Sequence, residues 1–487
     1  MGTSGMKLVL IGEDETILRH QSVTYEATHL REGWSEIDPE LWYEAMRTGM
    51  QRLLDGFDSS RLAGIAITGQ MHTLVVLDGQ GRPLRPALMW NDLRTKEMIG
   101  ELRAFLKNIP DDGYLQRTIS TGSPLSNLWW LKKEEPETFL QIQKILIGPD
   151  YLVYRLTGTF GTDFCEASTS CLYDLDGRCW SEQIRSFLGL PKEAFPPVRG
   201  SAVQAGNLLP AQAEILGLSS DVKVFVGTGD NAATALSTGC LGREEPFISL
   251  GTSGVVVVPT HKQTAFGKRI LFSLDGEEFS NLLQGTLQSN GNTVHWWTCQ
   301  IVKEEDYGFL DRTIDLERAK ENEIIFYPHL GGEKTLYADP SLRGAFLGLG
   351  IDTQTSDLSY SLIEGICFAL RELCEKLGLS LKDERQIKVV GGGSNSHVWM
   401  QILANVLNTP VARLDGMVGA SFGMALMAKE SCLAKAPARL STLTNSSIQV
   451  AQVFFPDPVL AEHCNAKYQR YLRIYEGLQI IKEGPKE

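Results

Sequence analysis

The sequence predicts an α/β fold built from two similar halves, and three observations support this prediction. Strand-like and amphipathic segments alternate through the first 240 residues, and a second alternation begins at about Phe247. The tetrapeptide Gly-Thr-Ser-Gly occurs at 2–5 and again at 251–254, each time before a strongly β-prone run. The two copies stand about half a chain apart, which favours a duplicated domain.

The first half begins with strand-like segments at 7–12, 62–68 and 72–78. Between the first two, apolar side chains recur at helical spacing over 40–57, which predicts an amphipathic helix. The segment 151–158 has the pattern of a buried helix that ends at its final glycine.

In the second half, the run FISLGTSGVVVV at 247–258 predicts a β-hairpin. Residues 359–379 place apolar side chains on one helix face, and a short strand, IKVV, then leads into GGGSNS. No low-complexity linker separates the halves, so 238–245 is a candidate hinge. The predicted domains are therefore 1–240 and 241–487.

Composition indicates a soluble cytoplasmic enzyme. Of the 487 residues, 43% are hydrophobic and 22% are charged, and the formal net charge of −13 argues against nucleic acid or an anionic membrane as the main partner. No apolar run approaches the roughly 20 residues that a membrane helix needs, and the start lacks a signal-peptide pattern. The nine cysteines include no C-x-x-C pair, which favours free thiols in a reducing compartment.

The repeated Gly-Thr-Ser-Gly turn is a candidate anion site. Glycines let the backbone approach an anion closely, and successive N–H groups with two hydroxyls can point into one concavity. A single copy is as consistent with a plain tight turn. Two copies at matched positions favour phosphate binding.

Asp230 follows an apolar strand and two glycines, and it precedes a helix of small residues. A carboxylate at this position can accept a proton or hold a metal-bound water. The local sequence supports a helix N-cap equally well.

Two further segments place polar side chains directly after strands. Met71 and His72 follow the strand that ends in Gly69, and Asn91 and Asp92 follow another. Taken singly, such residues are more often structural, and Asx residues after a strand usually form turns.

Glycine-rich segments in the second half allow close backbone approach. The run GGGSNS at 391–396 lies between a strand and a helix, where a helix N-terminus can bind a nucleotide, although a simple turn is a serious alternative. It matches neither a Rossmann nor a P-loop pattern. Small residues at 419–428 predict tight helix packing.

Taken together and in order, these segments resemble the FGGY carbohydrate kinases of the actin-like ATPase superfamily. The resemblance runs over nearly the whole chain. The segments that carry it are GTSG (2–5), GQMH (69–72), WND (90–92), GTGDNAA (227–233), SLGTSG (249–254), FYPHLGGEKT (326–335), RGAFLGL (343–349), GGGSNS (391–396) and GASFGMA (419–425).

The resemblance implies two ribonuclease-H-like domains around a central cleft, the first binding the sugar and the second the nucleotide, with ATP and Mg²⁺ as cofactors and a possible homodimer. Asp230 would be the catalytic base and a contact of the metal. The implied sugar contacts are Met71, His72, Asn91, Asp92 and Asn231. The implied nucleotide contacts are Thr3, Ser4, Gly251, Thr252, Ser253, Gly392, Gly393 and Asn395.

Within the family, GQMH, WND and GDNAA are most similar to xylulokinases, which implies phosphorylation of D-xylulose to D-xylulose 5-phosphate. The segment SPLSNLWWL at 123–131 is closer to gluconate kinases. Gluconate, or another ketose or polyol, is therefore the alternative substrate.

The two Gly-Thr-Ser-Gly copies differ in what precedes them. PFISL precedes the second copy, whereas only Met1 precedes the first. The family's first motif is Asp-x-Gly-Thr, so the first strand and its metal-organising aspartate are expected to be missing from this sequence. A late assigned start, a catalytically impaired sugar- or nucleotide-binding pseudokinase, and substitution by another carboxylate are three explanations.

Overall fold

The computed structural model describes two compact units. The described residues are 1–243, 245–260, 266–306, 308–339, 341–381, 386–415, 419–441, 443 and 449–483. The first unit comprises Met1–Arg243, Lys268–Leu282 and Met417–Ser447. The second comprises Glu244–Gly267, Leu283–Gly416 and Ile448–Glu487. Residues 268–282 and 417–447 thus belong to the first unit although they follow residue 240 in the chain. A single boundary at 240 therefore does not separate the two units.

Strands and helices alternate along the first 243 residues. The strands are β1 Gly5–Ile11, β2 Ile17–Thr24, β3 Glu36–Ile37, β4 Gly64–Ile65, β5 Thr68–Gly69, β6 Leu74–Leu77, β7 Ala87–Leu88, β8 Lys144–Ile147, β9 Thr162–Asp163, β10 Tyr173–Asp174, β11 Cys179–Trp180, β12 Val198–Arg199, β13 Gln204–Asn207, β14 Lys223–Phe225 and β15 Thr228–Gly229. The helices are α1 Pro39–Leu54, α2 Ile99–Leu106, α3 Tyr114–Thr118, α4 Pro124–Glu134, α5 Pro136–Leu140, α6 Asp150–Thr157, α7 Phe164–Thr169, α8 Glu182–Leu188, α9 Pro210–Leu216, α10 Asp230–Ser237 and α11 Cys240–Arg243.

The same alternation continues to residue 483. The strands are β16 Phe247–Leu250, β17 Gly254–Pro259, β18 Lys268–Ser273, β19 Phe279–Leu287, β20 Ile325–Tyr327, β21 Ala345–Leu347, β22 Ile387–Val390, β23 Val411–Leu414 and β24 Val450–Phe454. The helices are α12 Gly291–His295, α13 Phe309–Thr313, α14 Thr355–Lys376, α15 His397–Leu407, α16 Ala420–Ala434, α17 Pro458–Tyr471 and α18 Ile474–Glu483. This mixture confirms the predicted α/β class.

Local sequence explains where several helices begin and end. Asp38 caps α1 by accepting a hydrogen bond from the backbone N–H of Glu40 at 3.0 Å, and Pro39 takes the first helical position. Gly158 ends α6 with a φ of +72°, as predicted. Helix α14 starts before the predicted 359 because Gln354 and Asp357 form a capping box.

In the first unit, two short parallel strand pairs position the segments that carry the candidate site residues. Strand β4 pairs with β14, and β5 pairs with β15 in the register Thr68↔Thr228 and Gly69↔Gly229. Because parallel strands end at the same edge of a sheet, the segments that follow β5 and β15 lie side by side. These segments begin at Gln70 and Asp230.

In the second unit, the central strands follow the order β17-β16-β22-β23-β24. Strand β16 is antiparallel to β17 and parallel to β22, and β24 is antiparallel to β23. Most residues of the long helix α14 are buried, and they belong to the core of this unit. Each unit therefore buries its own apolar core.

All nine cysteines carry free thiols. Within the described ranges, none of the helices has both the length and the apolar character that crossing a bilayer requires.

Helix α16 packs closely against α10, the helix that begins at Asp230. A Cβ atom added to Gly423 would lie 2.0 Å from the backbone oxygen of Ala233. We expect Gly423→Ala to force the two helices apart, to lower the free energy of unfolding by about 1–3 kcal/mol, and to reduce kcat by displacing Asp230. Chemical denaturation and steady-state kinetics measure the two effects.

Gly100 provides the matched control within a helix. A Cβ atom added to Gly100 in α2 meets nothing within 4 Å. We therefore expect Gly100→Ala to be neutral or to stabilise the protein by up to about 1 kcal/mol. Equal destabilisation by the two substitutions would contradict the packing argument.

Candidate active site

Asp230 lies at the carboxyl edge of the β5–β15 pair, where it is the first residue of α10. The cap position of this helix is Gly229, and the helix has no side-chain cap, so the N-cap alternative for Asp230 is not observed. Burial raises the pKa of Asp230 to about 6, against the opposing effect of the nearby Met1 amino group. A group with this pKa is mainly ionised at neutral pH and can accept a proton.

The backbone of Met1 joins the same edge. Its amino group donates a hydrogen bond to the Thr68 carbonyl at 2.8 Å, and its carbonyl accepts one from the N–H of Gln70 at 2.9 Å. Burial lowers the pKa of the amino group to about 6, although Asp230 opposes the shift. Met1 thus lies beside Gly69, as one residue of a parallel strand would.

Met71 and Asn231 meet in front of this edge. The side-chain amide nitrogen of Asn231 lies 3.5 Å from the Met71 sulfur. A Cβ atom on Gly229 would lie 2.5 Å from Cγ of Met71, so a glycine is required there for Met71 to approach. The structure therefore brings Asp230, Asn231 and Met71 together.

His72 belongs to the same group and has an unusual backbone. Its φ is +68°, a left-handed conformation that costs energy for a non-glycine residue, and such strain is often found at functional sites. Its N–H donates to Oε2 of Glu166 at 3.4 Å, and its ring Nε2 lies 3.1 Å from Nζ of Lys268.

Two of these partners, Glu166 and Lys268, are absent from the predicted site. Burial, reinforced by Asp163, Asp150 and Asp230, raises the pKa of Glu166 well above its usual value, and Oε1 of Glu166 lacks a hydrogen-bond partner in the described chain. Burial also lowers the pKa of the Lys268 ammonium. No local motif marks either residue, and their proximity to His72 depends on the tertiary fold.

A buried aspartate supports the strand that leads to Asp230. Asp163 caps α7 through the N–H of Glu166 and accepts hydrogen bonds from the hydroxyls of Thr228 and Ser201, at 2.5 and 3.0 Å. Burial raises the pKa of Asp163 to about 6. Because Thr228 belongs to β15, this network positions the strand end that carries Asp230.

Asn91 and Asp92 occupy different environments. Oδ1 of Asn91 is buried and has no hydrogen-bond partner among the described residues. Asp92 is 0% exposed, and its two oxygens accept from the N–H of Ser35 at 2.7 Å and from the Arg94 side chain at 2.8 and 2.9 Å. The structure thus gives Asp92 a full set of protein partners.

The first Gly-Thr-Ser-Gly segment forms a turn in which the N–H of Gly2 donates to the carbonyl of Gly5 at 2.8 Å. The Thr3 hydroxyl accepts a hydrogen bond from the Trp90 indole at 3.1 Å. Ser4 is exposed. The turn is therefore tied to the WND segment within the first unit.

In the second unit, the two glycine-rich segments follow neighbouring parallel strands. Gly251, Thr252 and Ser253 follow β16, whereas Gly391 and the 3₁₀ turn Gly392–Asn395 follow β22. Because Ser249 pairs with Val390, both segments leave the sheet at the same edge.

Close backbone contacts hold this edge together. Gly391 has a φ of +91°, and a Cβ atom there would lie 2.7 Å from the Leu250 backbone, so only glycine fits. The Gly251 carbonyl accepts hydrogen bonds from the Asn290 amide at 2.7 Å and the Gly291 N–H at 3.1 Å. The segment at Asn290 and Gly291 was not predicted from the sequence.

The comparisons with known proteins decide the family. Residues 1–237 match the N-terminal domain of the FGGY family of carbohydrate kinases, and residues 247–431 match its C-terminal domain. The chain belongs to this family. It is accordingly a sugar kinase with two actin-like ATPase domains, as the sequence predicted.

Curated relatives cover nearly the whole chain. A xylulose kinase of Staphylococcus xylosus is 30% identical over 443 residues, which are 88% of this chain and 89% of the relative. A xylulose kinase of Lactococcus lactis is 30% identical over 499 residues, covering 99% and 96%.

Solved structures give the same fold. A kinase of Brucella ovis, described as a xyloylose kinase, superimposes with a TM-score of 0.87 at 30% identity and covers 99% of this chain and 98% of its own. A gluconate kinase of Lactobacillus acidophilus also gives 0.87, at 24% identity and with 98% and 97% covered. The second likeness shows the fold alone.

Proposed function

We propose that this FGGY kinase transfers the γ-phosphoryl group of ATP to D-xylulose, with Asp230 as the base. The observation that carries the proposal is the β5–β15 pairing, which puts Asp230 and Asn231 beside Met71 and His72. The xylulose kinase relatives, at 30% identity over most of their length, support the choice of sugar.

The proposed reaction needs one ionised carboxylate. The sugar hydroxyl gives its proton to Asp230 while its oxygen forms a bond to the γ-phosphorus, and the bond from that phosphorus to the leaving oxygen of ADP breaks. Phosphoryl transfer of this kind depends mainly on positioning and electrostatic stabilisation. Since burial raises the pKa of Asp230 to about 6, the carboxylate is a stronger base than an exposed aspartate and still mainly ionised at pH 7.

Unpaired polar groups in the GQMH and WND segments and in α4 suit a polyol. The side-chain amides of Gln70 and Asn127 and Oδ1 of Asn91 are buried without hydrogen-bond partners in the part of the chain that the structure describes. Buried polar groups are nearly always hydrogen-bonded in the working state of a protein. We assign these groups, with Asn231 and His72, to the hydroxyl groups of the sugar.

The nucleotide is assigned to the glycine-rich edge of the second unit. Gly392 and Asn395 are exposed, and a Cβ atom on Gly392 would meet nothing within 4 Å, so the backbone is open to a ligand there. Gly393, Gly251, Thr252 and Ser253 complete the proposed contacts. Thr3 and Ser4 remain predicted contacts of the phosphates.

We assign a magnesium ion to the proposed site through Asp230. Protein sites for Mg²⁺ in kinases often supply only one or two carboxylates, and substrate phosphates and water supply the other ligands. Over the described residues, no three His, Cys, Asp or Glu side chains form a cluster that could hold a metal by themselves. When bound, the ion would neutralise charge on the phosphates.

Gluconate is the second candidate, because of one segment. The sequence SPLSNLWWL forms most of the buried helix α4, and its Asn127 carries one of the unpaired amides. The gluconate kinase neighbour matches the fold as closely as the xylulose kinases do. Since the fold does not separate the two substrates, we infer that side chains of α4 help to distinguish xylulose from gluconate.

An ADP-release assay across D-xylulose, D-ribulose, D-gluconate and glycerol tests the proposal. We expect the highest kcat/KM with D-xylulose. A higher value with gluconate would reject the substrate and retain the kinase. Sugar binding by calorimetry, without ADP formation at high enzyme concentration, would reject catalysis and support the pseudokinase alternative.

A further inference from the structure

Lys268 places a basic side chain beside the candidate sugar site, and the proposed reaction does not use it. It is the first residue of β18, a strand that belongs to the first unit. Its Nζ lies 3.1 Å from Nε2 of His72. His72 directly follows Met71, which contacts Asn231. Lys268 therefore reaches the group of residues that is assigned to the sugar.

Hydrogen bonds to the backbone of β18 fix the strand that carries Lys268. The N–H of Arg269 donates to the Tyr114 hydroxyl at 2.8 Å, and the hydroxyl of Ser168 in α7 accepts from another N–H of the strand at 3.0 Å. Successive side chains of a strand point to opposite faces. The Arg269 side chain accordingly lies 4.7 Å from the centre of the Tyr114 ring, whereas the Lys268 side chain points to His72. The direction of Lys268 is thus set by the strand.

The Lys268 side chain is half-buried and lacks a counter-ion. Among the described residues, no Asp or Glu side chain forms an ion pair with it, and its hydrogen bond is to the imidazole of His72. Burial lowers the pKa of the ammonium, and the charges of Cys171 and Glu166 oppose this shift. Burial also disfavours the ionised form of Glu166. An ammonium that loses water without gaining an opposite charge is costly, so a bound anion would stabilise it.

Lys268 also reaches the start of the segment 123–131, the segment that is closer to gluconate kinases. Burial raises the pKa of the Cys171 thiol, and the charge of Lys268 and the hydroxyl of Ser123 oppose the shift. A backbone hydrogen bond of 3.3 Å joins α4 to the residue before Cys171. Lys268 thus connects His72 with the first residue of this segment.

The chemistry of the ammonium favours a carboxylate as the group that it recognises. A lysine donates up to three hydrogen bonds from one compact charge. Hydrogen bonds between charged groups are shorter and stronger than those between neutral groups. A hydroxyl or carbonyl of a neutral sugar can accept such a bond, but it leaves the charge of Lys268 uncompensated. A carboxylate would supply the counter-ion that the described chain does not.

We propose that Lys268 is a specificity-determining residue of the sugar site, where its ammonium binds the carboxylate of a sugar acid beside His72. Lys268 then sets the ratio between acidic and neutral acceptors, and aldonic acids form a second class of acceptor. The inference rests on the proposed function, because it assigns the same site to the sugar.

Two ligands of nearly the same shape, D-gluconate and the neutral D-gluconamide, test the proposal. We expect calorimetry on the unmodified enzyme to give a Kd for gluconate that is about 10- to 100-fold lower, the usual contribution of a hydrogen bond to a charged group. Lys268→Met should abolish this difference and lower kcat/KM for D-xylulose by a much smaller factor. Lys268→Arg keeps the charge and should retain most of the difference.

Lys192→Met is the matched control, because Lys192 is exposed and lies outside the candidate site. It should keep the preference for gluconate. Added salt should weaken gluconate binding to the unmodified enzyme but not to Lys268→Met, which a purely structural role of Lys268 does not predict.

Two results would overturn the proposal. One is that the unmodified enzyme binds gluconate no more tightly than gluconamide. The other is that Lys268→Met weakens gluconate and D-xylulose by equal factors, which would make Lys268 a support for His72 alone. Calorimetry detects binding without turnover, so both results are distinct from failure of the proposed function, which the ADP-release assay detects.

Discussion

Replacing Asp230 by alanine is expected to lower kcat for sugar phosphorylation by about 100- to 10,000-fold, the usual contribution of a positioned general base. The variant keeps Asn231 and Met71, which contact each other at the same edge. The Kd for the sugar should therefore change by only a modest factor. Single-turnover kinetics and calorimetry separate the two quantities.

Asp221→Asn serves as the control for this prediction. Asp221 is exposed, and within the described ranges its side chain has a hydrogen bond only with Ser219 in the same turn. We expect its kcat to equal that of the unmodified enzyme. Near-full activity in Asp230→Ala would remove Asp230 from the proposed role.

The pH dependence of kcat/KM in the unmodified enzyme is an independent test of Asp230 as the base. Burial raises the pKa of Asp230 to about 6, and the base acts only when it is ionised. Since protonation removes the base, kcat/KM should fall as the pH decreases through 6, to about one tenth of its neutral value at pH 5. A flat profile from pH 7 to pH 5 would contradict this assignment.

The spacing of apolar residues and the residues at helix ends predicted much of the fold. Helix α1 follows from the spacing of apolar residues over 40–57, and α6 from the glycine at its end. The tight packing expected of 419–428 is present at Gly423. The two helices depend on neighbouring residues in the chain, which is why the sequence alone contains them. The packing at Gly423, indicated only by a run of small residues, is a contact with Ala233, which lies far away in the chain.

The remaining features depend on contacts between distant parts of the chain. Glu166 and Lys268 meet His72 from 94 and 196 positions away. The inclusion of 268–282 and 417–447 in the first unit is likewise a result of tertiary packing. The positive φ of His72 is uncommon for a residue other than glycine, and no local sequence signal predicts it.

At Asp92, the role implied by the family differs from the contacts in this structure. The resemblance implies a sugar contact, whereas the structure surrounds its carboxylate with Ser35 and Arg94. The Arg94 side chain is 1% exposed, also pairs with Glu36 at 2.6 Å, and lies over the Trp34 ring at 3.8 Å. Asp92 therefore holds together a buried network of charges.

We expect Asp92→Ala to lower the free energy of unfolding by about 3 kcal/mol, because removing one partner leaves a buried charge poorly compensated. The neighbouring variant Asn91→Ala should instead raise KM for the sugar with little change in the thermal midpoint, since Oδ1 of Asn91 has no partner among the described residues. Thermal unfolding and steady-state kinetics on both variants distinguish the roles. If Asp92→Ala unfolds at the same temperature as the unmodified enzyme but has a raised KM, its carboxylate contacts the sugar, and the charge network is dispensable for stability.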